Sequence, residues 1–239
     1  MKKYSLLLFD LDDTLLDNAS WFNIGLARTL EIHPATSTVD PLIFLEQVLQ
    51  PPKSILESFI RREMSPDAFK KARWKNALSH SDIAFDEALI EEIDALFIET
   101  SMKYISTNES ITSLLIDLLK NYNVAIVTNG LYDPRVKIQQ MGLTEIFCNE
   151  TIFHAERLGF RKPDPQLYEI ALNHFGKAPT ETLFIGDSWT HDVVGPMNAG
   201  MDAIWVNPKG KPQPTDHTPI AIVSDVTEIR RILLLEEEK

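Results

Sequence analysis

The sequence predicts an α/β fold, a doubly wound parallel sheet interrupted after its first strand by a helical insertion, and three observations carry that expectation. Five short apolar runs, Ser5 to Phe9, Val124 to Val127, Leu183 to Ile185, Ala203 to Val206 and Ile220 to Val223, are continuous rather than alternating. Such runs are the pattern of parallel strands buried on both faces. Amphipathic segments lie between the later runs, and alternation of strand with helix calls for a parallel sheet covered by helices. Of the nine glycines only Gly25 falls between residues 17 and 107, so that stretch reads as mostly helix with few tight turns.

Taken in order, the first strand is expected over residues 4 to 10 and ends in Asp10-Leu11-Asp12-Asp13-Thr14. The expected division is an α/β core at 1-16 and 108-239, with the helical insertion at 17-107. The helix opening the second part of the core keeps Ile111, Leu114, Leu115, Leu118 and Leu119 on one face. The next strand ends in Thr128-Asn129-Gly130. Further on, Arg161-Lys162-Pro163-Asp164 precedes a helix with Asp164 as N-cap, Pro165 as first residue and Gly176 as stop, with Leu167, Ile170, Ala171 and Phe175 facing inward. Pro163 holds Lys162 extended. A later strand runs into Gly186-Asp187-Ser188, with Asp192 five residues after Asp187. Pro196 then predicts a helix that is kinked or begins late.

Composition limits the function. The chain has 239 residues, 44% apolar and 24% charged, enough to bury one full core and a smaller second one. A net charge of −12 opposes binding to a nucleic-acid duplex or anionic lipid. No apolar run approaches the roughly 18 residues of a membrane span, and Met1-Lys2-Lys3 leads into a strand with no signal-type cleavage site, so a cytoplasmic protein is expected. Cys148 is the only cysteine, which excludes an internal disulfide; it is expected as a small core residue. Glu236-Glu237-Glu238-Lys239 reads as a solvated helix end.

In doubly wound sheets the ligand sits at the carboxyl ends of the strands, where the four polar sets stand. In this order Asp10-x-Asp12-x-Thr14, Thr128 after an apolar strand, Lys162-Pro163 and Gly186-Asp187-Ser188-x-x-x-Asp192 resemble the haloacid dehalogenase-like hydrolase superfamily. The resemblance implies a Rossmann-like core, and the place of the insertion resembles the family's helical cap subclass. Val127-Thr128-Asn129-Gly130, Lys162-Pro163-Asp164-Pro165 and Trp205-Val206-Asn207-Pro208 resemble the bacterial pyrimidine 5'-nucleotidase branch. Val193-Val194-Gly195-Pro196 departs from that branch, where a second glycine is expected.

The residue types fit phosphate-monoester hydrolysis, among the slowest uncatalysed reactions, with accelerations of up to ~10²¹ needed. A carboxylate nucleophile divides it into two displacements through an aspartyl-phosphate. Asp10 and Asp12, two apart at a strand end, can point to the same side. The resemblance implies that Asp10 attacks phosphorus and that Asp12 protonates the leaving oxygen and then deprotonates water. Converging carboxylates beside a dianionic substrate need a cation, and Mg²⁺ suits an all-oxygen site. Asp10 and Asp187 are the expected ligands, joined by resemblance by the main-chain carbonyl of Asp12, with Asp192 in or beside the second layer of contacts. Lys162 is expected to supply positive charge to the phosphoryl oxygens, Thr128 and the Asn129 amide hydrogen bonds, and Thr14 and Ser188 to hold the loops.

The expected substrate is a small phosphorylated metabolite, a nucleoside 5'-monophosphate by resemblance. Trp21 and Phe22 either stack on its base or pack the insertion, as does Trp74. Arg61, Arg62, Lys70, Lys71, Arg73 and Lys75 are either a solvated helix face or an electrostatic funnel. His191 is expected as an exposed first-turn residue, and His154 and Glu156 as structural. A haloacid dehalogenase, which in the family lacks the second aspartate and the metal, is disfavoured by Asp12. A non-catalytic binding module is disfavoured by the intact set, and a β-phosphoglucomutase-like phosphotransferase shares the same core.

Overall fold

The computed structural model describes residues 3–234; the Glu236 to Lys239 helix end expected from sequence lies outside the described residues. Six strands, β1 (Leu6–Phe9), β2 (Asn123–Thr128), β3 (Ile152–His154), β4 (Thr182–Gly186), β5 (Asp202–Val206) and β6 (Ala221–Val223), form one parallel sheet in the order β3-β2-β1-β4-β5-β6. The order reverses between β1 and β4, which opens a crevice at their carboxyl ends. Leu8 stands opposite Ala125 on one side and Phe184 on the other. All four residues of β1 are fully buried, as a central strand covered on both faces demands. Each such side chain contributes about 1.5–3 kcal/mol relative to leaving it in water.

The chain divides into two compact units, Asn18–Ser106 and the remainder, Met1–Asp17 with Thr107–Lys239. The first is entirely helical: α1 (Asn18–Ile32), α2 (Pro41–Leu49), α3 (Lys53–Ile60), α4 (Pro66–His80) and α5 (Glu87–Met102). Its helix starts are written in the sequence. Asp40 accepts hydrogen bonds from the Leu42 and Ile43 amides, Ser65 from Ala68 and Asp86 from Leu89, with Pro41 and Pro66 opening their helices. Its interior is aromatic. Trp21, Phe22, Phe97, Trp74 and Phe44 stack through tilted and edge-on contacts at centroid distances of 4.9–6.2 Å.

In the sheet unit, α6 (Glu109–Leu119) leads into β2 and α7 (Pro134–Gln140) follows it. Asn108 caps α6 and Asp133 caps α7. Next come α8 (Ala155–Leu158) and α9 (Pro165–Phe175), the latter ended by Gly176 in the left-handed region. Leu167, Tyr168, Ala171 and Leu172 of α9 pack on Leu6, Leu8, Ala125, Val127 and Phe184 of the sheet. After β4 a wide π-type turn spans residues 189–194 before the short α10 (Gly195–Asn198), and α11 (Ile229–Leu233) closes the described chain. Pro196 sits in the first turn of α10, where its missing amide costs no helix hydrogen bond.

Several expectations need correction. Strand β3 was not anticipated, since three residues carry no readable period. Leu119 is exposed because the buried stripe of α6 ends with Leu118. Tyr168 and Leu172 join Leu167 and Ala171 on the fully inward face, while Ile170 and Phe175 pack against the same cluster from its edge and are only partly buried. Cys148 is exposed rather than in the core, because it opens a short turn ahead of β3.

Candidate active site

The site is built where β1, β2 and β4 end. The ladder between β1 and β4 extends one residue further, the Asp10 amide donating to Ile185 O at 2.9 Å, so the Asp10 side chain leaves the sheet at a fixed place. The chain then folds tightly: the amides of Leu15 and Leu16 both donate to Leu11 O, and Asp13 N to Leu16 O at 2.7 Å. Asp13 turns the corner at φ 59°, a left-handed conformation that aspartate tolerates better than most residues. Leu11, Leu15 and Leu16 are buried and anchor the loop.

Lys162 reaches in from the segment between α8 and α9. Its Nζ donates to Asp10 Oδ1 and to Asp192 Oδ1, each at 2.7 Å, with all three side chains buried. The segment is fixed by Asn129, whose side chain donates to Lys162 O and accepts from Lys162 N, both at 2.9 Å. The Asn129 side chain is therefore a brace between two loops, and a contact to substrate from this residue falls to its main chain. Thr128 is buried, its hydroxyl oxygen accepting the Gly130 amide at 3.1 Å. Asp192 Oδ2 accepts the Ser188 amide at 2.9 Å. Gly186 makes room for this carboxylate, since a Cβ there would lie 2.4 Å from it.

One oxygen from each of Asp10, Asp187 and Asp192 lies within 4.8 Å of the others, a grouping able to hold a metal ion. Both Asp192 oxygens already have partners in Lys162 and Ser188, whereas among the described residues no group hydrogen-bonds the Asp187 carboxylate. Asp187 and the second oxygen of Asp10 are thus left available to an ion. The electrostatics agree. Burial pushes Asp187 up to about 7, with Asp192 and Asp13 adding to it. Burial also lifts Asp10 well above the ordinary carboxylate range, Lys162 opposing and Asp192 reinforcing. Burial works against the Lys162 charge too, but Asp10 and Asp192 outweigh it and hold the ammonium above the ordinary lysine value.

Asp12 was expected beside Asp10, and its carboxylate has a cation of its own that sequence reasoning missed. Lys137 of α7 donates to Asp12 Oδ1 at 2.6 Å and Oδ2 at 2.8 Å, from a side chain only 2% exposed. A signal was present: Lys137 shares the buried face of α7 with Pro134 and Ile138, and a lysine on an apolar stripe needs a partner. Four carboxylates, Asp10, Asp12, Asp187 and Asp192, thus meet two ammonium groups, Lys137 and Lys162. When all six are ionised, two negative charges remain unmatched, and Asp13 adds to that excess at Asp187.

Other expected residues fall elsewhere. The Thr14 hydroxyl is buried and makes no hydrogen bond among the described residues, so the loop is held by its backbone and its leucines instead. Ser188 Oγ pairs with His191 Nδ1 at 3.1 Å, and His191 is half-buried rather than exposed, with burial lowering its pKa. His154 Nε2 pairs with Gly130 O at 2.8 Å. Trp21 and Phe22, 1% and 5% exposed, are engaged in the aromatic interior of the helical unit and present no open face for a base. The basic cluster is largely neutralised within that unit. Lys71 pairs with Glu91, Lys75 with Glu87 and Lys70 with Asp67, while Arg73 is buried, donating to Val48 O and lying over Phe22 and Phe69.

The family model for haloacid dehalogenase-like hydrolases matches residues 4–200. The chain belongs to this family. HAD-hydrolase YfnB of Bacillus subtilis is 29% identical over 238 residues, which is 99% of this chain and 98% of YfnB. The crystal structure of YfnB bound to magnesium matches with a TM-score of 0.78, at 26% identity, over 98% of this chain and 100% of that one. Pyrimidine 5'-nucleotidase PynA of Streptococcus pneumoniae is 28% identical over 207 residues, 86% of this chain and 84% of PynA. The 2-haloacid dehalogenase of Pseudomonas syringae pv. Tomato matches with a TM-score of 0.71, at 26% identity, over 96% of this hydrolase and 98% of that chain. No helix of the described residues is long and apolar enough to cross a membrane.

Proposed function

We propose that this hydrolase is a Mg²⁺-dependent phosphatase that cleaves small phosphate monoesters through an aspartyl-phosphate on Asp10, with nucleoside 5'-monophosphates, pyrimidine ones foremost, as substrates. The observation that carries the proposal is the charge pattern at the switch point: Asp10, Asp187 and Asp192 around Lys162, with a second carboxylate, Asp12, on the same strand end. Asp10, Asp187 and the main-chain carbonyl of Asp12 would hold the metal, and Asp192 would steady the group through Lys162 and Ser188. Mg²⁺, when bound, neutralises carboxylates and polarises phosphoryl oxygens.

In the first displacement a carboxylate oxygen of Asp10 bonds to phosphorus as the ester P–O bond breaks, and the departing oxygen takes the proton carried by Asp12. In the second, Asp12 takes a proton from water, whose oxygen bonds to phosphorus as the bond to Asp10 breaks. Phosphate leaves, and both carboxyl groups return to their starting states. Lys162 donates to the phosphoryl oxygens, together with the Thr128 hydroxyl and the Asn129 main-chain amide. The helical unit would act as a cap that selects the leaving group. Likeness to PynA supports the nucleotide preference. The presence of Asp12 and the excess negative charge weigh against the dehalogenase alternative, which shares the fold.

The test is hydrolysis of p-nitrophenyl phosphate with Mg²⁺ and with EDTA, followed by pyrimidine nucleotides and glucose 6-phosphate. Metal-dependent turnover with higher kcat/KM for the nucleotides is expected. Full activity after exhaustive chelation overturns the metal-dependent mechanism, and preference for the sugar phosphate overturns the nucleotidase assignment alone.

A further inference from the structure

We propose that Lys137 is a positioning residue for the reaction: it fixes the direction of the Asp12 carboxylate so that the proton of Asp12 reaches the leaving oxygen. This rests on the phosphatase mechanism above and adds to it a residue outside the four motifs. The Asp12 carboxylate sits between two constraints. On one side Lys137 Nζ contacts both of its oxygens, at 2.6 and 2.8 Å, which fixes the plane of the group as well as its place. On the other, Gly130 lies so close that a Cβ there would stand 2.9 Å from Asp12 Oδ2. Gly130 is itself tied down by its amide to Thr128 Oγ1 and by its carbonyl to His154.

The origin of Lys137 gives the contact a purpose beyond charge balance. The helix that carries it starts with Asp133 as N-cap and Pro134 in its first turn, so the register of the helix is set firmly. Lys137 then falls on the buried face, where an ammonium group is strongly disfavoured unless it is paired. Asp12 has a side chain 21% exposed and can be solvated by water. A half-buried carboxylate that water still reaches can be satisfied without a buried lysine, whereas a proton donor acting on a bound ester needs a fixed direction, because small misplacements of a catalytic group cost large factors in rate.

The test compares wild type, Lys137→Met, Asp12→Asn and the double variant on two esters with Mg²⁺ present: p-nitrophenyl phosphate, whose leaving group departs without help, and an alkyl phosphate, whose leaving group needs a proton. Lys137→Met should lower kcat/KM, which reads the first displacement alone, on the alkyl ester by about 10²-fold, in the range of general-acid contributions, and on the nitrophenyl ester by less than about tenfold. In the Asp12→Asn background the same substitution should cost nothing further, because its effect passes through Asp12. Equal losses of kcat/KM on both esters, or an undiminished loss in the Asp12→Asn background, overturn the inference and leave Lys137 a structural cation. Wild type that hydrolyses neither ester overturns the phosphatase mechanism and this inference with it. Thermal melts of each variant separate a folding defect from these results.

Discussion

Replacing Lys162 by methionine removes the cation that bridges Asp10 and Asp192, and its effect on stability should depend on pH in a direction the structure fixes. Lys162 Nζ is 2.7 Å from an oxygen of each carboxylate, and the Asp192 side chain is fully buried. Breaking a buried pair by deleting one partner costs about 3–5 kcal/mol, because the remaining charges are left uncompensated. Proton uptake limits that cost. Asp10 is already raised above its unfolded value by burial and by Asp192 with Lys162 still opposing, so in the variant it rises further. Between the unfolded and folded values the native state binds more protons than the unfolded state, and stability therefore falls as pH rises, by about 1.4 kcal/mol per pH unit for each such group. Urea unfolding of wild type and Lys162→Met, in EDTA at pH 5, 7 and 9, should show a gap of about 3–5 kcal/mol at the alkaline end that shrinks in acid. A gap independent of pH, or one that widens in acid, would refute the assignment of Lys162 as the counter-charge of the buried carboxylates.

Two further outcomes follow from the same geometry. Because burial raises Asp187 to about 7 in the metal-free site, a Mg²⁺ ion held by Asp187, as proposed, would displace a proton below that pH. Calorimetric titration in buffers of different ionisation enthalpy should detect proton release at pH 6 that fades by pH 9, with affinity rising over the same range; affinity unchanged between these values would count against Asp187 as a ligand. Trp21→Ala should cost about 3–5 kcal/mol through the cavity it leaves. Denaturation should register that loss, and a variant of unchanged stability with a raised KM would restore Trp21 as a substrate contact.

The strands that form the middle of the sheet were legible because burial on both faces leaves no choice of residue type: β1 is Leu-Leu-Leu-Phe, and β4 and β5 are nearly as uniform. The polar residues after them were legible for the complementary reason, since carboxylates at the end of an apolar strand stand out. Less was readable where structure depends on partners distant in sequence. Lys137 pairs with Asp12 across 125 positions, and no local pattern reports that distance. Asn129 looks like a ligand-binding amide until the Lys162 backbone is seen to use its side chain. The lysines of α4 look like a funnel for anions until α5 supplies Glu87 and Glu91. Trp21 and Phe22 follow β1 closely in sequence, yet the ring packing of the helical unit decides their place.

The most direct measurement is kcat for p-nitrophenyl phosphate at saturating Mg²⁺ for wild type and Asp10→Asn, with circular dichroism and a thermal melt on both proteins. Asp10 stands at the end of the central strand with Lys162 on one oxygen, and an amide in its place cannot form the aspartyl-phosphate. Loss on the order of 10⁴-fold or more in a folded protein is the expected result. A folded Asp10→Asn variant retaining activity within about tenfold of wild type would contradict Asp10 as the nucleophile, because removal of a covalent nucleophile is among the largest single losses an enzyme shows.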